Sequence, residues 1–178
     1  MNEVPTVRLA RTGDLAAIAG LMDLAIDRLQ QDFLSDEQIV ASRQVMGLDR
    51  QLVGDGTCFV AEVDGALVGC GGWSRRATLY GGDDGMVPRD VRLLDPATEP
   101  ARIRAMYTHP DHARRGIGSL ILATCERAAL AEGFRTAELM STASGQPLYT
   151  RCGYLPVERG DADVGGVRVP LIRMRKAL

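Results

Sequence analysis

The stretch Arg102–Gly118, RIRAMYTHPDHARRGIG, decides how this chain is read. Its first part alternates: Ile103, Ala105 and Tyr107 fall on one face of a strand predicted over Arg102–Thr108. His109-Pro110 ends that strand, because proline has no amide to donate and restricts the residue before it. Gly116–Glu132 then reads as a helix, with Ile117, Ile121, Cys125 and Ala128 as its apolar stripe and Gly133 as its stop. The first amides of such a helix lack internal partners, and its dipole places partial positive charge there. Glycine at 116 and 118 lets an anion come close to the backbone, and Arg114 and Arg115 add charge-assisted donors. The turn suits a phosphate or pyrophosphate, although the same residues also serve as plain turn chemistry. It is not a P-loop, which needs a lysine after its last glycine; the chain's one lysine is Lys176. Nor is it a GxGxxG dinucleotide fingerprint, since Ile121 stands where the third glycine belongs.

On the N-terminal side, Val7 and Leu9 alternate as a first strand. Leu15, Ile18, Met22, Ile26 and Leu29 recur at helical spacing over Asp14–Gln31, and Ser35 with Gln38 forms a capping box for a second helix ending before Gly54. Cys58–Val63 and Ala66–Trp73 flank the turn dipeptide Asp64-Gly65 as a hairpin. Arg75–Pro100, punctuated by glycine and proline, reads as a long loop. On the C-terminal side, Phe134–Met140 is a strand and Gly145–Arg151 a short helix. Tyr154–Glu158 and Val167–Arg175 are two more strands, separated by a loop around Gly160 and Gly165-Gly166. The order β-α-α-β-β-β-α-β-α-β-β is an α/β arrangement in which helices cover a mixed sheet.

Composition narrows the classes. The chain has 178 residues, 46% hydrophobic and 25% charged, with a net charge of −2. That length predicts one domain over 1–178 with a core that needs no staples. A near-neutral balance argues against a nucleic-acid partner. No apolar run reaches membrane-span length, and Met1–Arg11 has no apolar leader core. Cys58, Cys70, Cys125 and Cys152 lie far apart with no CxxC pair or histidine cluster, so neither a metal site nor a disulfide framework is expected. The expectation is a soluble cytoplasmic protein.

A second motif, QPLYTRCGY over Gln146–Tyr154, places Tyr149 four residues before Gly153 and an aromatic strand opening. Alone it reads as a core tyrosine and a helix cap. In this order and separation the two motifs resemble the GCN5-related N-acetyltransferase (GNAT) superfamily. That family's central motif, a strand followed by Gln/Arg-x-x-Gly-x-Gly/Ala, corresponds to Thr108-His109-Pro110 and Ala113–Gly118; its later Tyr-x-x-x-Gly-Phe/Tyr corresponds to Tyr149–Tyr154. Ala113 departs from the pattern, removing a side-chain contact but not the amides.

The resemblance implies a mixed, mostly antiparallel sheet flanked by helices and splayed between the fourth and fifth strands. It implies acetyl-CoA as cosubstrate and direct N-acetyl transfer to a primary amine of a small molecule or peptide. A non-catalytic acyl-CoA-binding module stays open as the alternative, and so does a homodimer. The amides of Arg114, Arg115, Gly116, Ile117, Gly118 and Ser119 would bind the pyrophosphate. The backbone of Met106, Tyr107 and Thr108 would pair with the pantetheine arm. Tyr149 matches the acid that protonates the leaving thiolate. Glu62 and Glu138 qualify as general bases by type only, with solvated strand faces as the plainer reading and a water chain as the other route. The acceptor site would draw on Phe33 beside Gln31 and Asp32, on Trp73, Arg75 and Arg76, and on Tyr80 with Asp83 and Asp84. Arg75 or Arg76 in the pocket would select an acidic acceptor; the three aspartates would select a polyamine or aminoglycoside.

Overall fold

Turn chemistry sets the central hairpin. Asp64 and Gly65 both take left-handed conformations, with φ of 52° and 76°, as a two-residue turn between antiparallel strands requires. They join β2 (Cys58–Val63) to β3 (Ala66–Ser74) in the computed structural model, which describes residues 4–178. Met1, Asn2 and Glu3, the start of the stretch read as lacking a leader core, lie outside the described residues.

The other strands are β1 (Thr6–Leu9), β4 (Ala101–Thr108), β5 (Thr136–Ser141), β6 (Leu155–Val164) and β7 (Val167–Ala177). They form one sheet in the order β1-β2-β3-β4-β5-β7-β6 among the described residues. Each neighbouring pair is antiparallel except β4 with β5, which run parallel. β4 and β5 pair at Ala101–Ala137 and Arg102–Glu138 and then diverge, so the sheet opens at the C-terminal end of β4 as expected. β6 continues through Gly160 to Val164, where a loop was expected, because the turn itself needs little beyond Gly165-Gly166.

Helices cover both faces. α4 (Ile117–Ala131) buries Ile117, Ile121, Leu122, Cys125 and Ala129 against Trp73, Ile103 and Phe134. α1 (Leu15–Leu29) buries Ile18, Leu21, Met22, Ala25 and Ile26 against Val60, Cys70 and Tyr107 on the other face. α2 (Asp36–Ser42) starts at the expected capping box: the Gln38 amide donates to Ser35 Oγ at 3.2 Å and the Ser35 amide to Gln38 Oε1 at 3.0 Å. It is shorter than expected, and a separate turn, α3 (Arg50–Gly54), follows. Between them Gly47 packs on Gly82 so closely that a Cβ at Gly82 would stand 2.6 Å from the Gly47 Cα. α5 (Gln146–Arg151) precedes the last hairpin. The long loop folds back on itself: Ala77 donates to Arg92 O at 2.9 Å, and Leu94 to Arg75 O at 2.8 Å.

One irregularity re-phases β4. Cys70 pairs with Tyr107 but Gly72 with Arg104, so β4 carries one extra residue there, and Ala105 sits at φ 54°. This is a β-bulge, and it inverts the alternation beyond it. Ile103 therefore packs on the α4 face, whereas Ala105 and Tyr107 pack on the α1 face. The expectation that all three share a face fails for that reason.

Candidate functional site

The opening between β4 and β5 is continuous with a cleft of about 470 Å³. Residues 103–108 of β4 form its floor. Ala113, Arg114 and Gly116–Ser119 form one end, and Gly145, Leu148 and Tyr149 a side. Arg28–Phe33 (all but Gln31), Val45–Gly47 and Leu79–Gly81 close the other end.

The turn before α4 is built by backbone conformation. Arg114 and Gly116 both have positive φ, 63° and 83°. Leu120 is the residue whose amide reaches Gly116 O, at 3.0 Å, which leaves the amides of 117–119 facing outward from the helix end. A Cβ at Gly116 would meet nothing within 4 Å, so its positive φ, not crowding, is what calls for glycine there. Gly118 is different: a Cβ there would lie 2.9 Å from Leu148 Cδ2 and 3.7 Å from Thr108 Oγ1. Its smallness lets α5 approach the start of α4. Asp111 anchors the turn to α1 through Arg28 at 3.1 Å. Arg114 lines the cleft; Arg115 is exposed and lies outside its lining.

Tyr149 is 8% exposed, and its ring meets Tyr154 edge-on at 5.9 Å. Burial pushes its hydroxyl above the usual 10, so it keeps its proton throughout the neutral range. Thr142 and Ser144, whose hydroxyls are 3.1 Å apart, line the cleft beside it and were not singled out by sequence.

Of the expected acceptor residues, Phe33 and Tyr80 line the cleft, as does Asp32. Trp73, Arg75 and Arg76 do not. Trp73 is 2% exposed and meets Phe134 edge-on at 5.8 Å, with the Arg75 guanidinium 5.1 Å above its ring. Arg75 donates to Glu132 at 2.9 and 2.6 Å, and Arg76 to Asp55 at 2.7 and 3.0 Å. The reason is register. Trp73 and Ser74 pair with Ile103 and Arg102, where the sheet is still closed, whereas Gly69 pairs with Thr108 at the open end. The neighbouring glycines answer to packing: a Cβ at Gly69 would stand 2.6 Å from Ile117 Cγ2, and one at Gly71 would strike Met106. The loop acids are also committed or remote. Asp83 accepts from Arg50 at 3.0 Å and Arg89 at 3.2 Å, and Asp84 is exposed outside the lining.

Neither glutamate is a free base. Glu138 is 2% exposed, not a solvated strand face, and accepts from Arg102 at 2.7 Å and Arg175 Nε at 2.9 Å. Glu62 accepts from Arg8 at 2.6 Å. The residue that sequence reasoning missed is Arg104, 4% exposed in the middle of β4 and in the cleft wall. Its signal was a charge inside an otherwise apolar central strand, between Ile103 and Ala105.

A family model described as an acetyltransferase (GNAT) domain matches residues 54–156. No curated protein matches the chain. Among solved structures, a GCN5-related N-acetyltransferase from Rhodopseudomonas palustris, also named a class-II aminotransferase, is 21% identical with a TM-score of 0.73, covering 100% of this chain and 99% of that one. A PaiA N-acetyltransferase from Thermoplasma acidophilum, solved with coenzyme A, is 14% identical with a TM-score of 0.62, covering 98% and 99%. The ribosomal-protein-S18-alanine N-acetyltransferase of Escherichia coli is 16% identical with a TM-score of 0.60, covering 98% and 94%. The splayed β4–β5 pair, the glycine turn beneath it and the matching family model agree: this chain belongs to the GNAT acetyltransferase family.

Proposed function

We propose that residues 1–178 form one acetyl-CoA-dependent N-acetyltransferase domain that acts on a primary amine by direct attack. The observation that carries this reading is the convergence, in one cleft, of the open β4 edge, the outward amides at the start of α4 and a protonated Tyr149. Acetyl-CoA supplies the activated thioester. The amides of 117–119 with Arg114 hold its pyrophosphate, and the unpaired amides of that helix start fit the group. Met106–Thr108 present strand backbone to the pantetheine arm, and the amides after the bulge at Ala105 stabilise the developing oxyanion. Tyr149 donates its proton to the departing thiolate. With Glu62 and Glu138 held by arginines, the amine proton leaves through water.

A thiol-release assay across amines, amino acids, polyamines, aminoglycosides and peptides tests the reading. Tyr149→Phe lowers kcat by about 100-fold or more with the acetyl-CoA Kd unchanged. Unchanged turnover removes Tyr149 from the acid role. Acetyl-CoA binding without thiol release from any amine favours a non-catalytic binding module.

A further inference from the structure

The acceptor end of the cleft contains a charge network that is one anion short. Arg104 Nη2 donates to Gly81 O at 2.6 Å and stands 2.8 Å from Asp49 Oδ2. Asp49 also takes Arg89 at 2.7 Å; Arg89 reaches Asp83 at 3.2 Å; Asp83 accepts from Arg50 at 3.0 Å. Three guanidinium groups thus share two carboxylates. Arg104 is the buried end of this chain of charges, its side chain 2% exposed. Its Nε and Nη1 atoms have no hydrogen-bond partner among the described residues, and neither has Asp49 Oδ2, which pairs with Nη2 by charge alone. Burying a cation with unmade hydrogen bonds is costly, and an anion that accepts them removes the cost. A second orphan lies in the same wall: Gln30, 2% exposed, donates through Nε2 to Ser42 Oγ at 3.1 Å while its Oε1 has no partner. The wall therefore holds, just beneath its surface, unused cationic donors on Arg104 and an unused carbonyl acceptor on Gln30, which a small turn of either side chain brings into the cleft. Those complement a carboxylate and an N–H group.

We propose that the acceptor is an amino acid whose free carboxylate is bound by Arg104. This rests on the acetyltransferase reading above and names its substrate class. Arg104 takes the role that the sequence assigned to Arg75 and Arg76, and Gln30 Oε1 accepts a hydrogen bond from the same molecule. Of the three aspartates that would hold a polyamine, Asp83 is held by two arginines and Asp84 lies outside the lining, which leaves Asp32 alone in the cleft.

The test is a matched comparison on the full chain saturated with CoA. Free amino acids, their C-terminal amides and the corresponding decarboxylated amines are titrated calorimetrically, and each is assayed for thiol release with acetyl-CoA. At least one free acid binds about tenfold or more tighter than its amide, the scale of a charge-assisted hydrogen bond in a buried site. Arg104→Gln abolishes that difference and leaves the CoA Kd unchanged; Arg104→Lys restores part of it. Amides or plain amines binding as well as acids in every pair overturns the proposal, as does an acid preference that survives Arg104→Gln. The wild-type comparison stands alone if the variants do not fold. An acid preference in binding without thiol release refutes acetyl transfer and keeps the carboxylate site. Thiol release with no acid preference does the reverse.

Discussion

At the scale of residues, chemical type was legible and commitment was not. Arg75, Arg76 and Arg114 look alike in sequence, yet two of them are held in ion pairs at the closed end of the sheet and one lines the cleft. Arg75→Gln with Arg76→Gln should leave steady-state constants within twofold, each lost pair costing about 1 kcal/mol or less. Arg114→Glu should instead weaken acetyl-CoA about tenfold or more in a binding titration, by placing like charge beside phosphate. Equal effects from both sets would remove Arg114 from the cosubstrate. Asp14 supports a pH prediction. Hydrogen bonding from Arg8 holds its carboxyl at about 2, below the ordinary 3.8. A depressed carboxyl contributes stability above its unfolded value and loses it as pH falls through its folded value. Asp14→Asn should therefore melt lower than the wild type at neutral pH. The gap should close as pH falls from 3.8 towards 2, and a gap constant with pH would refute the pairing.

At the scale of elements, the strands, both long helices and the Ser35 capping box followed from periodicity and turn chemistry, which act within a few residues. The bulge at Ala105 did not, because an extra residue is defined only against the partner strand. That one residue moved Ala105 and Tyr107 off the face of Ile103 and left Arg104 buried on β4. The contact of α5 with α4 was equally invisible: Gly118 reads as a phosphate-loop glycine, but a Cβ there would lie 2.9 Å from Leu148 Cδ2. Gly118→Ala should change stability by about 1 kcal/mol or less, because the crowding falls on the end of the Leu148 side chain and alanine favours the helix. It should raise the acetyl-CoA Kd in a binding titration, whereas an unchanged Kd would mean that Leu148 yields without disturbing the turn.

At the scale of the whole molecule, cosubstrate binding and folding are linked, since the cleft draws on both ends of the chain. Acetyl-CoA at 100 times its Kd should raise stability by about 2.7 kcal/mol and Tm by about 5–10 °C. No shift at saturation would count against the cleft as its site. By itself the sequence determined the order of elements, the phosphate-suited turn at Arg114–Gly118 and the tyrosine motif at Tyr149. Each is a local pattern whose physics, hydrogen bonding and side-chain periodicity, is complete within a short span. Only the tertiary structure decided which charges are free. Glu138, Arg75, Arg76 and, through Arg50, Asp83 are occupied by partners from distant parts of the chain, while Arg104 retains unmade hydrogen bonds in the cleft wall. A side chain's availability depends on what long-range packing brings against it, and composition and spacing carry no record of that.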